Sequence, residues 1–305
     1  MPSAQTRSHA SPKRGVPQDE PVAPATPPRV GRHPVYPLAA DCRVRPPLSA
    51  VAQWRTWDIQ AIGRSPKTFP WIIAHRGASA VAPEGTRAAI RCAAQARADM
   101  VELDVQMTFD GELIIFHDER LERTTNGRGH IGRTPYSKLA QLDAGCWFHP
   151  RFKKQRILLL SQALRYVPSW MGINLELKRT SKRKALLNRI LQIIASASLK
   201  KRLLLSSFDP ALLEGLQGTG LALALICRHY PDSSLRQAVR LRCKAWHPFH
   251  SLLNPTRIEK AHTIGLRVHA WTIDEPKQAR QLLRWGVDGF FTNDPKRLRD
   301  QCLCL

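Results

Sequence analysis

A (β/α)8 TIM barrel is the fold class predicted by the 305-residue sequence, and three features predict it. From Trp71 onward, short apolar runs alternate with stretches of helical periodicity, and about 235 residues of this kind are what one barrel needs. Polar and charged residues gather at the ends of the apolar runs, where barrels carry their chemistry. No GxGxxG loop follows the first run, which removes the main support for a doubly wound sheet.

Taken in order, the strand-like runs are Trp71–His75, Val101–Met107, Leu113–His117, Ile173–Lys178, Leu203–Phe208, Leu221–Cys227, Cys243–His247, Val268–Ile273 and Val287–Thr292. Helical periodicity marks Arg87–Arg97, Lys182–Ala197, Ser234–Arg242, Pro255–Ile264 and Pro276–Trp285. Thr86, Ser181, Asn254 and either Asp274 or Glu275 have the side chains that start helices. Between His117 and Ile173 the rhythm breaks into a Gly-rich polar excursion, Thr124 to Gly129, and a short helix near Ser137–Leu142. The expectation is a small insertion after the third strand-like run, at about 119–157, projecting from the top of the barrel.

Residues 1–70 hold 13 of the 23 prolines and ten Lys/Arg against four acids, the composition of a disordered, flexible, basic Pro-rich tail. They contain neither the compact apolar core of a secretory signal nor an unbroken amphipathic helix for transit. The expected division is therefore a tail at 1–70 and a barrel at 71–305. Hydrophobic residues at 43% exclude a wholly disordered chain, and the longest clean apolar run, Leu221 to Ile226, excludes a transmembrane span. Seven scattered cysteines without zinc spacing fit a reducing compartment, so the expected location is cytoplasmic. The C-terminal Cys302-Leu303-Cys304-Leu305 has the CaaX form, a lesser alternative that would anchor the chain to a membrane in a eukaryotic cell.

Four clusters at strand ends could do chemistry. Ala74-His75-Arg76-Gly77 joins a histidine to a cation and a flexible turn, a combination suited to phosphate. In Val101-Glu102-Leu103-Asp104-Val105, strand alternation sends Glu102 and Asp104 to one face, where two carboxylates repel unless a cation lies between them. Asp110-Gly111 signals a hairpin, and a two-residue turn there sets His117 directly opposite Asp104. Glu176 and Lys178 share a face of the next strand and add a third carboxylate and a second cation. Three carboxylates suit one hard divalent cation, Mg2+ or Ca2+. Two histidines suit an acid and a base on opposite sides of a phosphorus, and Arg76 with Lys178 suits its equatorial oxygens. Metal-assisted phosphodiester cleavage is the chemistry these residues point to.

The same residues resemble the glycerophosphodiester phosphodiesterase family. The resemblance rests on His75-Arg76-Gly77-Ala78-Ser79, Pro83-Glu84-Gly85-Thr86, Glu102-Leu103-Asp104-Val105, His117-Asp118, Leu121 to Gly127, Glu176-Leu177-Lys178, Ser206-Ser207-Phe208 and Ala270-Trp271-Thr272. It runs from about Trp71 to Pro295 and is similar to the bacterial cytoplasmic branch in Leu142 to Gly145 and Leu159 to Gln162. What it implies is a TIM barrel that hydrolyses glycerophosphodiesters to an alcohol and sn-glycerol 3-phosphate. Glu102, Asp104 and Glu176 match the metal ligands, His75 and His117 the acid/base pair, and Arg76 and Lys178 the phosphate contacts. Glu84 lies in a motif that supports the pocket, and Trp271 would wall it against substrate. The implied mechanism is attack of the glycerol 2-hydroxyl on phosphorus, giving a cyclic phosphate that water then opens.

Gly85 stands where the family has asparagine, and the lost amide is expected to weaken the loop by about 1 kcal/mol. Rival readings are phospholipase-D-like action on lysophospholipids and a non-enzymatic binder of anionic lipid or nucleic acid. The net charge of +23 favours anionic partners, yet no basic stripe interleaved with aromatics supports nucleic acid. A small glycerophosphodiester is the expected partner, with peripheral membrane contact compatible with the charge.

Overall fold

The computed structural model describes residues 70–195 and 199–302, so the expected tail lies outside the described residues except for Pro70. The first apolar run forms β1 (Trp71–Ala74), followed by α1 (Arg87–Gln95), where the Thr86 side chain accepts from the Ala89 N–H (3.3 Å). Next, β2 (Met100–Met107) and β3 (Leu113–Ile115) form an antiparallel hairpin. The inserted segment carries α2 (Tyr136–Leu139) between two single 3-10 turns. Alternation resumes with α3 (Leu160–Tyr166), β4 (Gly172–Leu177), α4 (Arg183–Ile194), β5 (Leu203–Ser207) and α5 (Pro210–Glu214). It continues through β6 (Ala222–Cys227), α6 (Pro231–Arg240), β7 (Ala245–Pro248) and α7 (Pro255–Thr263). The last elements are β8 (Arg267–Ala270), α8 (Pro276–Arg284), β9 (Gly289–Thr292) and α9 (Pro295–Cys302).

β1 pairs in parallel with both β2 and β9, and every other neighbour between them is also parallel, so eight strands close into the predicted TIM barrel. Closure explains the continuous apolar runs, because both faces of a parallel strand are covered. Val101, Leu103, Val105, Ile173 and Leu175 point outward into the layer between strands and helices and are fully buried. Ile73, Met100, Leu204, Ala224 and Phe291 fill the interior. Each of these side chains larger than alanine contributes roughly 1.5–3 kcal/mol on burial. Higher in the barrel the inward positions turn polar: Glu102, Asp104, Asn174 and Ser206 are buried there.

The hairpin corrects one expectation. Thr108 N–H donates to Glu112 O (2.9 Å), leaving a three-residue loop of Phe109, Asp110 and Gly111, with Gly111 at φ +86°. Only a residue at ease in the left-handed region closes this type of loop. The register therefore pairs Val105 with Ile115, and Phe116, not His117, sits beside Asp104, donating its N–H to the Asp104 carbonyl (3.0 Å). His117 reaches the mouth because the chain leaves the strand after Ile115. Gln106 holds that departure, its amide nitrogen lying 2.9, 3.1 and 2.6 Å from the carbonyl oxygens of Phe116, His117 and Asp118.

Smaller differences have local causes. α4 begins after Lys182, with no side-chain cap, so Ser181 does not start it. Glu275 occupies the position before α8 without capping it, and the Asp274 side chain is engaged elsewhere, at β9. α6 begins at Pro231, three residues before Ser234, whose hydroxyl accepts from the buried Trp246 indole (2.9 Å). α3 and α5, seven and five residues long, are too short to show a helical period. The insertion has its own small core, in which Ile114 and Phe116 meet Leu121, Ile131, Leu139 and Ile157.

Candidate active site

The β2–β4 ladder sets Asp104 directly beside Glu176, and Glu102 lies two residues lower on the same face of β2. These three carboxylates each offer an oxygen within 4.8 Å of the others. Burial and then the neighbouring Asp104 and Glu176 push Glu102 well above the usual carboxylate range. Burial would raise Asp104 too, but Lys178, His117 and Arg76 pull it below that range. Glu102 Oε2 accepts from the Arg76 N–H (2.7 Å), while its Oε1 is buried with no partner among the described residues. An orphaned carboxylate oxygen in a buried group of three acids fits a hard cation, which would supply the missing partner and relieve the repulsion.

Two cations border this group. Lys178 Nζ lies 2.9 Å from Asp104 Oδ1 and donates to Glu176 Oε1 (2.5 Å), which raises its pKa against burial. Arg76 has its Nε 3.5 Å from Asp104 Oδ2 and donates through Nη1 to Glu84 Oε1 (3.0 Å). Its backbone is left-handed, φ 57°, an arrangement most side chains avoid. That turn at the end of β1 is what aims its N–H at Glu102.

The histidines are held in different ways. Asn293 donates its amide to Asp274 Oδ2 (2.6 Å), which turns its carbonyl oxygen toward His75 Nδ1 (2.8 Å) and Ser79 Oγ (2.8 Å). An amide oxygen only accepts, so His75 carries its proton on Nδ1 and keeps the Nε2 lone pair. Burial and then the Arg76 charge lower its pKa to about 4. His117 instead has a carboxylate partner, Asp118 Oδ1, 2.6 Å from its Nδ1. Arg123 binds both Asp118 (2.5 and 2.9 Å) and Glu84 (2.8 and 2.7 Å). A continuous chain of side-chain contacts thus runs from His117 through Asp118, Arg123, Glu84 and Arg76 to Asp104.

Gly85 sits in the loop after β1, where the resemblance has asparagine. It is at φ +68°, and its N–H donates to the Arg76 carbonyl (3.0 Å). Glycine and asparagine are the residues that enter this region most readily, so the replacement keeps the backbone of the loop. Trp271 stands at the end of β8 and packs against the interior cluster, with Phe208 and Phe249 at 5.7 and 5.1 Å and its indole donating to His247 O (2.9 Å). Sequence reasoning overlooked Gln106, Asp118, Arg123, Asp274 and Asn293 as supports. Only His117-Asp118 carried a signal, an acid adjacent to a histidine.

A model of the glycerophosphoryl diester phosphodiesterase family matches residues 75–297. The chain belongs to that family. Relatives of this phosphodiesterase include a putative glycerophosphodiester phosphodiesterase of Bacillus subtilis, 34% identical, the match covering 74% of this chain and 95% of the relative. A glycerophosphodiester phosphodiesterase of Caldanaerobacter subterraneus is 31% identical over the same shares. Among solved structures, an Oleispira antarctica phosphodiesterase in complex with the product sn-glycerol-3-phosphate superposes with a TM-score of 0.72 at 31% identity. That match covers 76% of this chain and 96% of the other. Among the described residues, no helix of the phosphodiesterase is long and apolar enough to cross a membrane.

Proposed function

We propose that this phosphodiesterase cleaves glycerophosphodiesters by metal-dependent, two-histidine catalysis, releasing sn-glycerol 3-phosphate and an alcohol. The observation that carries the reading is the arrangement just described: three carboxylates within 4.8 Å, one with an orphaned oxygen, bordered by two cations and two differently held histidines. Glu102, Asp104 and Glu176 would hold one divalent cation, Mg2+ or Ca2+. When bound, it would neutralise the acids and make the glycerol 2-hydroxyl easier to deprotonate.

His75 has a free Nε2 lone pair and a neutral hydrogen-bond partner, so it takes the proton of the attacking 2-hydroxyl. His117, backed by the Asp118 carboxylate, carries the proton that goes to the leaving alcohol. Attack on phosphorus forms a cyclic phosphate. Water then opens it with the proton movements reversed, and sn-glycerol 3-phosphate leaves. Arg76 and Lys178 stabilise the equatorial oxygens in both steps. Glu84 acts through the two arginines it joins, a supporting role.

The test is release of sn-glycerol 3-phosphate from glycerophosphocholine and glycerophosphoethanolamine, after EDTA treatment and then with Mg2+ or Ca2+ restored. Metal-restored release of the same product from both is expected. Release that EDTA leaves untouched would remove the metal from the mechanism.

A second substrate reading has its own support. Phe208 is 46% exposed and meets Trp271, which in turn meets Phe249, forming an apolar ledge on the loops that leave the same end of the barrel. An acyl chain could lie there, which favours lysophospholipids. Choline release from lysophosphatidylcholine that falls on Phe208→Ser would support this reading, and no release would end it.

A further inference from the structure

Beyond the reacting centre, a cavity of about 240 Å³ opens between the upper ends of β2 and β4 and the inserted loop. Its floor begins where the phosphate cations end. Gln106 lies two residues above Asp104 on the same face of β2, and Lys178 reaches back to Asp104 at 2.9 Å. Arg179 on the β4–α4 loop and Arg133 in the 3-10 turn of the insertion line the cavity, together with His130. Glu119 is the one acid among its lining residues.

Arg133 and Arg179 are uncommitted: among the described residues neither pairs with a carboxylate. By contrast Arg120, beside His130, is bound to Glu122 (2.6 Å). A guanidinium with no carboxylate partner among the described residues, lining a cavity of this size, suits a planar or tetrahedral oxyanion that can accept two hydrogen bonds from one fork. The position matters equally. Lys178 belongs to both places: it lies 2.9 Å from Asp104 in the carboxylate group and also lines this cavity, so a diester held between Arg76 and Lys178 has the cavity at its side.

We propose that this cavity is the subsite for the leaving alcohol, and that it selects leaving alcohols carrying a second phosphoryl group. The inference rests on the phosphodiesterase reading above and extends it to the substrate class. Bis(glycerophospho)glycerol is the probe: water enters, one P–O bond to the central glycerol breaks, and sn-glycerol 3-phosphate and glycerophosphoglycerol leave. The leaving alcohol keeps its anionic phosphodiester, which lies between Arg133 and Arg179. A choline leaving group brings a positive charge to the same arginines and is disfavoured.

The experiment compares kcat/KM for bis(glycerophospho)glycerol and glycerophosphocholine in the full chain and in the Arg133→Gln/Arg179→Gln double variant. Both positions are exposed, so the fold is expected to tolerate the changes. The unaltered protein is expected to prefer the anionic diester, the double variant to lose at least tenfold of that preference, and Glu119→Gln to increase it. A preference for the choline ester, or a ratio unmoved by the double substitution, overturns the proposal. Calorimetric titration of the same two diesters into His75→Ala separates this from catalysis. If neither diester is hydrolysed by the unaltered protein, the catalytic reading fails, while the ratio of dissociation constants still decides the cavity. Equal constants, or no binding of either probe, overturn it.

Discussion

At the scale of single residues, two histidines in one mouth differ in what backs them. His75 is held by a neutral amide that Asp274 orients, whereas His117 is held by a carboxylate that Arg123 orients. His75→Ala and His117→Ala are each expected to lower kcat by about 10²–10⁴-fold. Calorimetric Mg2+ binding should stay close to that of the unaltered protein, because neither ring belongs to the carboxylate group. Retained turnover in either variant would reject the assignment. Asn293→Ala removes the acceptor that keeps the His75 proton on Nδ1, and kcat should fall roughly 10- to 100-fold with KM little changed. A change confined to KM would instead make Asn293 a substrate contact.

At the scale of elements, the loop after β1 and the β2–β3 hairpin decide how the proposed catalytic groups meet. Gly85 has a left-handed backbone, and a Cβ added there would approach Ile115 Cγ2 at 3.3 Å. Gly85→Ala should destabilise the protein by about 1–2 kcal/mol in urea unfolding, and Gly85→Asn by clearly less. Equal losses would show that contact with Ile115, not backbone conformation, selects glycine. Much of this architecture was legible beforehand. Alternation in Glu102-Leu103-Asp104 indicated which side chains share a face, and the Asp110-Gly111 pair indicated a hairpin. The register was not legible, because a two-residue turn and a three-residue loop ending in glycine share the same dipeptide. The difference moves every cross-strand partner by one.

At the scale of the whole molecule, closing the barrel buries groups that could otherwise titrate. His247 and His269 lie 3.1 Å apart inside it, His269 lowered to about 4 and His247 well below its ordinary value, both chiefly by burial. Both are favoured neutral in the fold. Their contribution to stability is therefore complete above about pH 6.5 and is lost as pH falls toward 4. For His269 the loss should reach about 2 kcal/mol by pH 5, read as a falling urea midpoint. A midpoint constant from pH 7 to 5 would contradict this. Metal addition should act in the other direction, since a cation at 100 times its dissociation constant stabilises the fold by about 2.7 kcal/mol. Mg2+ or Ca2+ should raise Tm, EDTA should reverse the rise, and Glu102→Gln should abolish it.

By itself the sequence determined the class of fold and pointed to the residue types of the candidate site. Periodicity, strand alternation and the spacing of charged positions are local properties, and each is written within a few consecutive residues. Only the tertiary structure decided what stands behind those residues. Asn293 reaches His75 across 218 positions, and Arg123 joins Glu84 across 39. Such partners are set by barrel closure and by the insertion folding back, and no short stretch of chain encodes them. The same closure leaves Arg133 and Arg179 facing one cavity from different loops. Contacts between residues distant in the chain exist only once the hydrophobic layers have brought the strands together, and the supporting shell of the site is made almost entirely of them.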